Sequence, residues 1–328
     1  YLIYESSTLN ARPGQPTGAS KLCLSCHDGT LALGSVLSRT DQIRMAGGDF
    51  MPAGLTNLGT DLSDDHPVSF AYTSGLANAD GQLANPTTLP PEIKLDSTSQ
   101  LQCTACHDAH RNVYGNFLVM SNSFGALCTA CHAMHGWPDC SHRASNAVVS
   151  GVPGGDWPYP TVSENACRSC HRPHTAGAHQ RLLMFDVEVD NCLDCHNGQV
   201  AQRNILAELN KPSAHDPRRY PHIHDPAEPA NSTQAHAECA DCHNPHAAAP
   251  EPALPSYIPI GATLRRVRGV SSGGAPVPET NYEYEICYRC HGDTAVQIPG
   301  RIPRQSNVPN LRLRFSPGNP SYHPVVTA

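Results

Sequence analysis

The chain has 328 residues and a formal net charge of −7, a balance that argues against nucleic-acid binding, which needs a basic patch to neutralise phosphates. No run approaches the roughly 18 apolar residues of a membrane span. Leu, Ile, Val and Phe make up only about 18% of the residues, the range of chains that stay disordered, and 30 prolines and 25 glycines raise the cost of ordering further, so something other than aliphatic side chains has to form the core.

Taken in chain order, the first feature is CLSCHDGT, in which Cys23, Cys26 and His27 form a C-x-x-C-H run. His66 follows in DDHPV. A tandem pair comes next, Cys103-Cys106-His107 and Cys128-Cys131-His132, with an apolar cluster at 116–120 that predicts a short strand. CSHR then supplies Cys140 and His142. A second tandem pair, Cys167-Cys170-His171 and Cys192-Cys195-His196, encloses another predicted strand at 182–189. Residues 199–209, QVAQRNILAEL, predict a helix with Val200, Ile205, Leu206 and Leu209 near one face. After His215 in SAHDP, the proline-rich stretch 224–233 reads as coil. Cys239-Cys242-His243, an insertion over 247–280 whose 249–259 part also reads as coil, and Cys287-Cys290-His291 complete the series, with His323 beyond them. Each attachment run predicts a helical turn.

Fourteen of the 15 cysteines thus lie in seven C-x-x-C-H runs, the attachment signal for covalent c-type haem. Two thiols add to the two vinyl groups on one porphyrin edge, and the histidine after the second sits under the iron as proximal ligand. Disulfides would not explain a histidine after every second cysteine. Zinc ribbons combine two knuckles per metal, whereas here each pair carries its own histidine. Seven haem c groups, with His27, His107, His132, His171, His196, His243 and His291 on their irons, are therefore expected to replace the missing aliphatic core. The expected fold is mostly irregular coil with a few short helices and minimal strand.

An internal repeat organises the array. Residues 103–132 lie over 167–196, with Leu118, Val119 and Met120 meeting Leu182, Leu183 and Met184 in an ungapped alignment. The expected segments are 1–100 with the first haem, then two-haem units at 101–150, 151–235 and 236–328, packed as one haem-cored structure.

Nineteen histidines less seven proximal ones leave twelve for at most seven distal positions. Each leading motif carries a histidine three residues after the proximal one: His110, His174 and His246. Each trailing motif is followed by another: His66, His142, His215 and His323. A histidine one helical turn from the proximal residue is on the wrong face of its own haem, so His110, His174 and His246 are expected to reach the iron of an adjacent haem. His135, His236 and His224 compete for the same positions, and His179 and His222 are further spares. The surplus makes methionine ligation unnecessary. Cys140 reads as an incidental small apolar residue, with a free thiol or an intermolecular disulfide as alternatives, and Arg111, Arg168, Arg172 and Arg181 as partners for propionates.

With CRSCHRPH and CADCHNPH as its signature, the chain from about Lys21 onward resembles multihaem c-type cytochromes of the doubled-CxxCH kind, and among them extracellular cytochrome filaments, or nanowires. The resemblance implies export, haem acquisition outside the cytoplasm and electron movement. A start at Tyr1 rather than Met fits a secreted product with its signal peptide removed. The expected function is electron conduction along closely spaced bis-histidine haems in a self-associated extracellular filament, exchanging electrons with other redox proteins or extracellular acceptors, with no nucleic-acid partner and no catalytic residues. The alternatives are a monomeric periplasmic or outer-membrane-associated shuttle, or a multihaem oxyanion reductase, which would need one iron with an open position.

Overall fold

The computed structural model describes residues 1–149, 157–220, 222–229, 236–249, 260–293 and 310–326. The 230–233 and 250–259 portions of the stretches expected as coil lie outside the described residues. Among those described, the longest helices are Gly18–His27, with 10 residues, and Glu283–His291, with 9. The strands have two residues each. Leu2–Ile3 pairs in parallel with Asp61–Leu62, Phe70–Ala71 antiparallel with Gln100–Leu101, and Gly269–Val270 antiparallel with Pro276–Val277. The mostly irregular architecture expected from the composition is what forms.

Every attachment run coincides with a helical turn: Gly18–His27, Cys103–Ala105, Ala126–Thr129, Ala166–Ser169, Glu188–Leu193, Cys239–Cys242 and Glu283–His291. The spacing itself favours this. A C-x-x-C-H run wound into one turn brings its two thiols to the same side, as residues three apart do on any helix.

Three sequence expectations need correction. The helix expected over 199–209 is confined to Ile205–Leu209, because the Asn204 side chain accepts from the Ala207 amide at 3.0 Å and starts the helix there. Upstream, the fifth motif claims the amides instead: Ala201 donates to the Cys195 carbonyl at 2.9 Å and Ile205 to that of His196 at 2.8 Å. The strands expected at 116–120 and 182–189 reduce to single bridges, His107 with Leu118 and His171 with Leu183, and Glu188–Leu193 is helical. Paired positive φ angles, 49° and 55° at Asn116 and Phe117 and 58° and 52° at Arg181 and Leu182, prevent an extended run.

Those same angles correct the repeat alignment. Asn116 and Phe117 correspond to Arg181 and Leu182, so Leu118 meets Leu183 and Val119 meets Met184, one residue further along than an ungapped alignment places them. The hydrogen bonds agree: Val119 donates to the Cys106 carbonyl at 3.0 Å and Met184 to that of Cys170 at 2.8 Å. The second copy carries one extra residue before this point and one fewer after it.

The chain divides into two compact units, one formed by Tyr1–Met134 and Asn146–Asp194, the other by His135–Ser145 and Cys195–Ala328. In the first, Phe70, Tyr72, Ile93, Leu101 and Ala105 form a small buried cluster flanked by Leu76, Leu83, Val119 and Met120. Tyr4, Ala176 and Leu182 form another. A buried polar link joins the first two motifs of this unit. Ser20 donates from its hydroxyl to Gln102 Oε1 at 2.6 Å and accepts from the Cys103 amide at 3.0 Å, while Gln102 Nε2 donates to Asp96 at 2.9 Å. In the second unit Ile260, Val267 and Ile286 form the cluster. Clusters of three to five side chains are small for units of this size, as expected of a chain whose largest apolar groups are not amino acids.

Candidate metal centres

Each site begins with the attachment turn. The proximal amide donates to the carbonyl of the first cysteine in His107, His132, His171 and His243, at 3.0, 2.9, 2.9 and 3.0 Å. No disulfide engages any of the fifteen cysteines, which are all thiols. Both sulfurs of each pair are thus available for addition to a porphyrin.

A later loop orients four of the proximal rings. Nδ1 of His27 donates to the Thr56 carbonyl at 2.7 Å, His107 to Asn116 at 2.9 Å, His171 to Arg181 at 2.8 Å and His243 to Thr263 at 3.0 Å. With its proton held on Nδ1, each ring presents Nε2 as the ligating atom. In two of the four, the accepting carbonyl belongs to a residue with positive φ, Asn116 or Arg181. Such a conformation costs about 1–3 kcal/mol for a non-glycine residue, and here it turns the carbonyl toward the ring.

The structure then brings four of the sequence-selected histidines opposite proximal ones. Ring centres are 6.2 Å apart for His66 and His132, 6.1 Å for His174 and His107, 6.2 Å for His142 and His196, and 6.0 Å for His215 and His291. Two imidazole–metal bonds of about 2 Å laid end to end separate the nitrogens by about 4 Å and the ring centres by about 6 Å. One iron fits between the rings of each pair.

The incoming rings are oriented as the proximal ones are. His66 donates from Nδ1 to the Pro67 carbonyl at 3.0 Å, His142 to that of Pro245 at 3.0 Å, and His174 to the carboxylate of Asp65 at 2.9 Å. Desolvation and repulsion from His132 pull His66 down to about 4. Desolvation also lowers His107, His171, His196 and His291. These rings are neutral at physiological pH, the form that binds a metal. His142 moves the other way, raised mainly by its hydrogen bond with Cys140.

The other candidates are placed differently. His110 and His323 are exposed, and His135 is also at the surface. His246 lies against Trp137, with ring centres 6.5 Å apart. His179 Nδ1 donates at 2.6 Å to the Ser63 hydroxyl, which itself donates to Asp61. His224 and His236 sit among carboxylates, Glu238, Asp241 and Glu228. Cys140 is buried, and its thiol donates to the Pro245 carbonyl at 3.2 Å, sharing that acceptor with His142.

Successive motifs also approach one another. The thiols of Cys23 and Cys103 lie close enough to influence one another, as do those of Cys128 and Cys167. Cys106 is raised to about 12 by burial and by the neighbouring Cys131 and Cys128. In the second unit Cys242 is raised to about 11 by burial, then by Asp241, Cys287 and Cys290. A small pocket in the first unit is bounded by Leu24, Leu62, Val68, Cys103 and His174 beside the second attachment site. No helix among the described residues is long and apolar enough to cross a membrane.

Sequence reasoning missed Asp65, the loop carbonyls and the contacts between motifs. Only Asp65 carried a local signal, since DDHPV places a carboxylate beside a candidate ligand; it orients His174 rather than its neighbour His66.

Two stretches, residues 97–136 and 160–201, match the model of the doubled CXXCH motif family. They cover the two tandem units. Among curated proteins, none matches the chain. The matched motifs indicate covalently bound haem c and a multihaem c-type cytochrome, a class of electron-transfer proteins.

Proposed function

We propose that the chain is a heptahaem cytochrome that conducts electrons along closely spaced bis-histidine haems, polymerised outside the cell as a filament. The carrying observation is the set of four histidine pairs with ring centres 6.0–6.2 Å apart. Haem supplies one-electron exchange between ferric and ferrous iron. In these four pairs the chain's own residues would hold both faces of the iron, and hydrogen bonds at Nδ1 fix the tautomer of His66, His107, His142 and His174.

The pairs follow a rule. His66, His142 and His215 each follow a trailing motif and face the proximal histidine of the next trailing motif, His132, His196 and His291. His174, three residues after the proximal histidine of the fourth motif, faces His107 of the second. This supports the geometric expectation that such a residue serves an adjacent haem rather than its own. Three irons, those of His27, His171 and His243, then have His110, His246 and His323 as proposed donors. In the filament one of these crosses to a neighbouring copy, and the segment boundaries at 100, 150 and 235 mark the stacked haem units.

The test is three measurements on haem-loaded protein. Intact mass should report seven haems per chain, and low-temperature electron paramagnetic resonance should show only low-spin ferric iron. Electron microscopy should show polymers. A high-spin iron that binds carbon monoxide would favour the oxyanion reductase, and low-spin monomers the shuttle.

A further inference from the structure

The second unit holds a group of side chains that haem ligation does not use. His224, Glu238 and Asp241 are all buried, 7%, 9% and 6% exposed. Nδ1 of His224 is 3.3 Å from Glu238 Oε2 and 3.5 Å from Asp241 Oδ1. All three atoms lie within 4.8 Å of one another. We propose that they bind one divalent transition-metal ion of the zinc class, distinct from the haem irons.

The spacing is that of a coordination polyhedron. Ligands about 2.0–2.2 Å from a tetrahedral ion are about 3.3–3.6 Å apart, which brackets the two nitrogen–oxygen distances. One imidazole nitrogen and two carboxylate oxygens leave a fourth position for water.

Neighbouring bonds fix the donors. Asp241 uses Oδ2 to accept from the Glu238 amide at 2.8 Å, at the start of the Cys239–Cys242 turn, and this turns Oδ1 toward His224. Such outer contacts set ligand orientation in metal sites. The charges call for a cation. Three carboxylates, Glu228, Glu238 and Asp241, face two guanidinium groups. Arg289 Nη2 reaches Glu228 at 2.7 Å and Asp241 at 3.1 Å, and Arg268 Nη1 donates to the Glu228 carbonyl at 3.0 Å. The carboxylates outnumber the guanidinium groups, and a cation beside His224 would offset the excess.

A second set, Glu228 and His236 at 3.2 Å with Asp241 Oδ2 at 3.8 Å from His236, uses the other side of the same carboxylate. That oxygen already accepts from the Glu238 amide, and only the His224 set is buried throughout, so the ion belongs to the His224 side, where Asp241 Oδ1 also meets Arg289. Once bound, it ties residues 222–229 to the attachment turn that ends one residue before His243. The site stands apart from the electron-transfer reading and does not depend on it.

The experiment uses the haem-loaded full chain, passed over a chelating resin and titrated with zinc alone by calorimetry, with non-haem metal counted by mass spectrometry. Wild type should take up one zinc ion per chain. His224→Gln and Glu238→Gln should each weaken binding by 10-fold or more, while His236→Gln should leave it unchanged. The proposal is overturned if wild type takes up no zinc, or if His224→Gln binds it as wild type does. It is equally overturned if His224→Gln turns a haem high-spin, which would make His224 an iron ligand. A protein that fails to polymerise but binds zinc at this site would sink the filament and leave the metal site standing.

Discussion

Replacing Asp65 with Asn probes the control of a single iron. Asp65 is 4% exposed and accepts from His174 Nδ1 at 2.9 Å. Adding about 2 Å across the ring and about 2 Å for an iron–imidazole bond puts the carboxylate charge about 7 Å from the iron. At an effective dielectric constant of about 20, two unit charges at that distance interact by about 2.4 kcal/mol. For a one-electron couple this is about 100 mV. Asn keeps an acceptor for the imidazole proton while removing the charge, so Asp65→Asn should raise one midpoint potential by up to that amount without changing its spin state. Redox titration followed by electron paramagnetic resonance resolves the haem concerned. The reasoning is refuted if every potential stays within about 20 mV of wild type, since water would then be screening the charge almost completely.

Other substitutions separate ligation from packing. A side chain at Gly125, where φ is +68°, would put its Cβ 3.1 Å from both Cys167 Sγ and Ala166 Cβ. Gly125→Ala should therefore cost about 1–2 kcal/mol and lower the thermal midpoint. His142→Ala should leave one iron five-coordinate, read as one high-spin signal and one carbon monoxide site per chain. Cys140→Ala loses the thiol's contacts with the Pro245 carbonyl and His142, costing about 1 kcal/mol, and should leave every iron low-spin. Asp293 is held below its ordinary value mainly by hydrogen bonds from Arg312, Nε at 2.6 Å and Nη2 at 2.8 Å. A depressed carboxylate stabilises above its unfolded pKa, and that contribution fades as pH falls through the folded one. Asp293→Asn should therefore cost at most about 1 kcal/mol at pH 7. Its thermal midpoint should converge on wild type as pH drops below about 4.

Some of this was legible in the chain because covalent chemistry dictates spacing. Two thiols and a histidine must meet one porphyrin edge, so each motif announces its own helical turn. Counting histidines also singled out His66, His142, His174 and His215. Which iron each faces was not legible, because the answer depends on contacts 54 to 76 residues apart in sequence, such as His142 with His196 or His215 with His291. Local propensity failed where the site outranks it. Leu182 and Leu183 look like strand, yet the φ of Leu182 is 52° because the loop turns the Arg181 carbonyl toward His171. Asn204 interrupts a plausible helical face because its side chain competes for the amides that would have continued it.

The contact between Cys23 and Cys103 bears on how the protein is made. The influence of Cys23, with help from Ser20, pulls the Cys103 thiol down to about 6 despite its burial. A thiolate beside a thiol is the arrangement that oxidises to a disulfide. In an oxidising compartment, a chain that folded before receiving haem would staple its first motif to its second and block both. Cys128 and Cys167 repeat the hazard. Attaching the cofactor ahead of folding, on a chain still extended enough for each pair of sulfurs to meet its own porphyrin, would avoid that pairing.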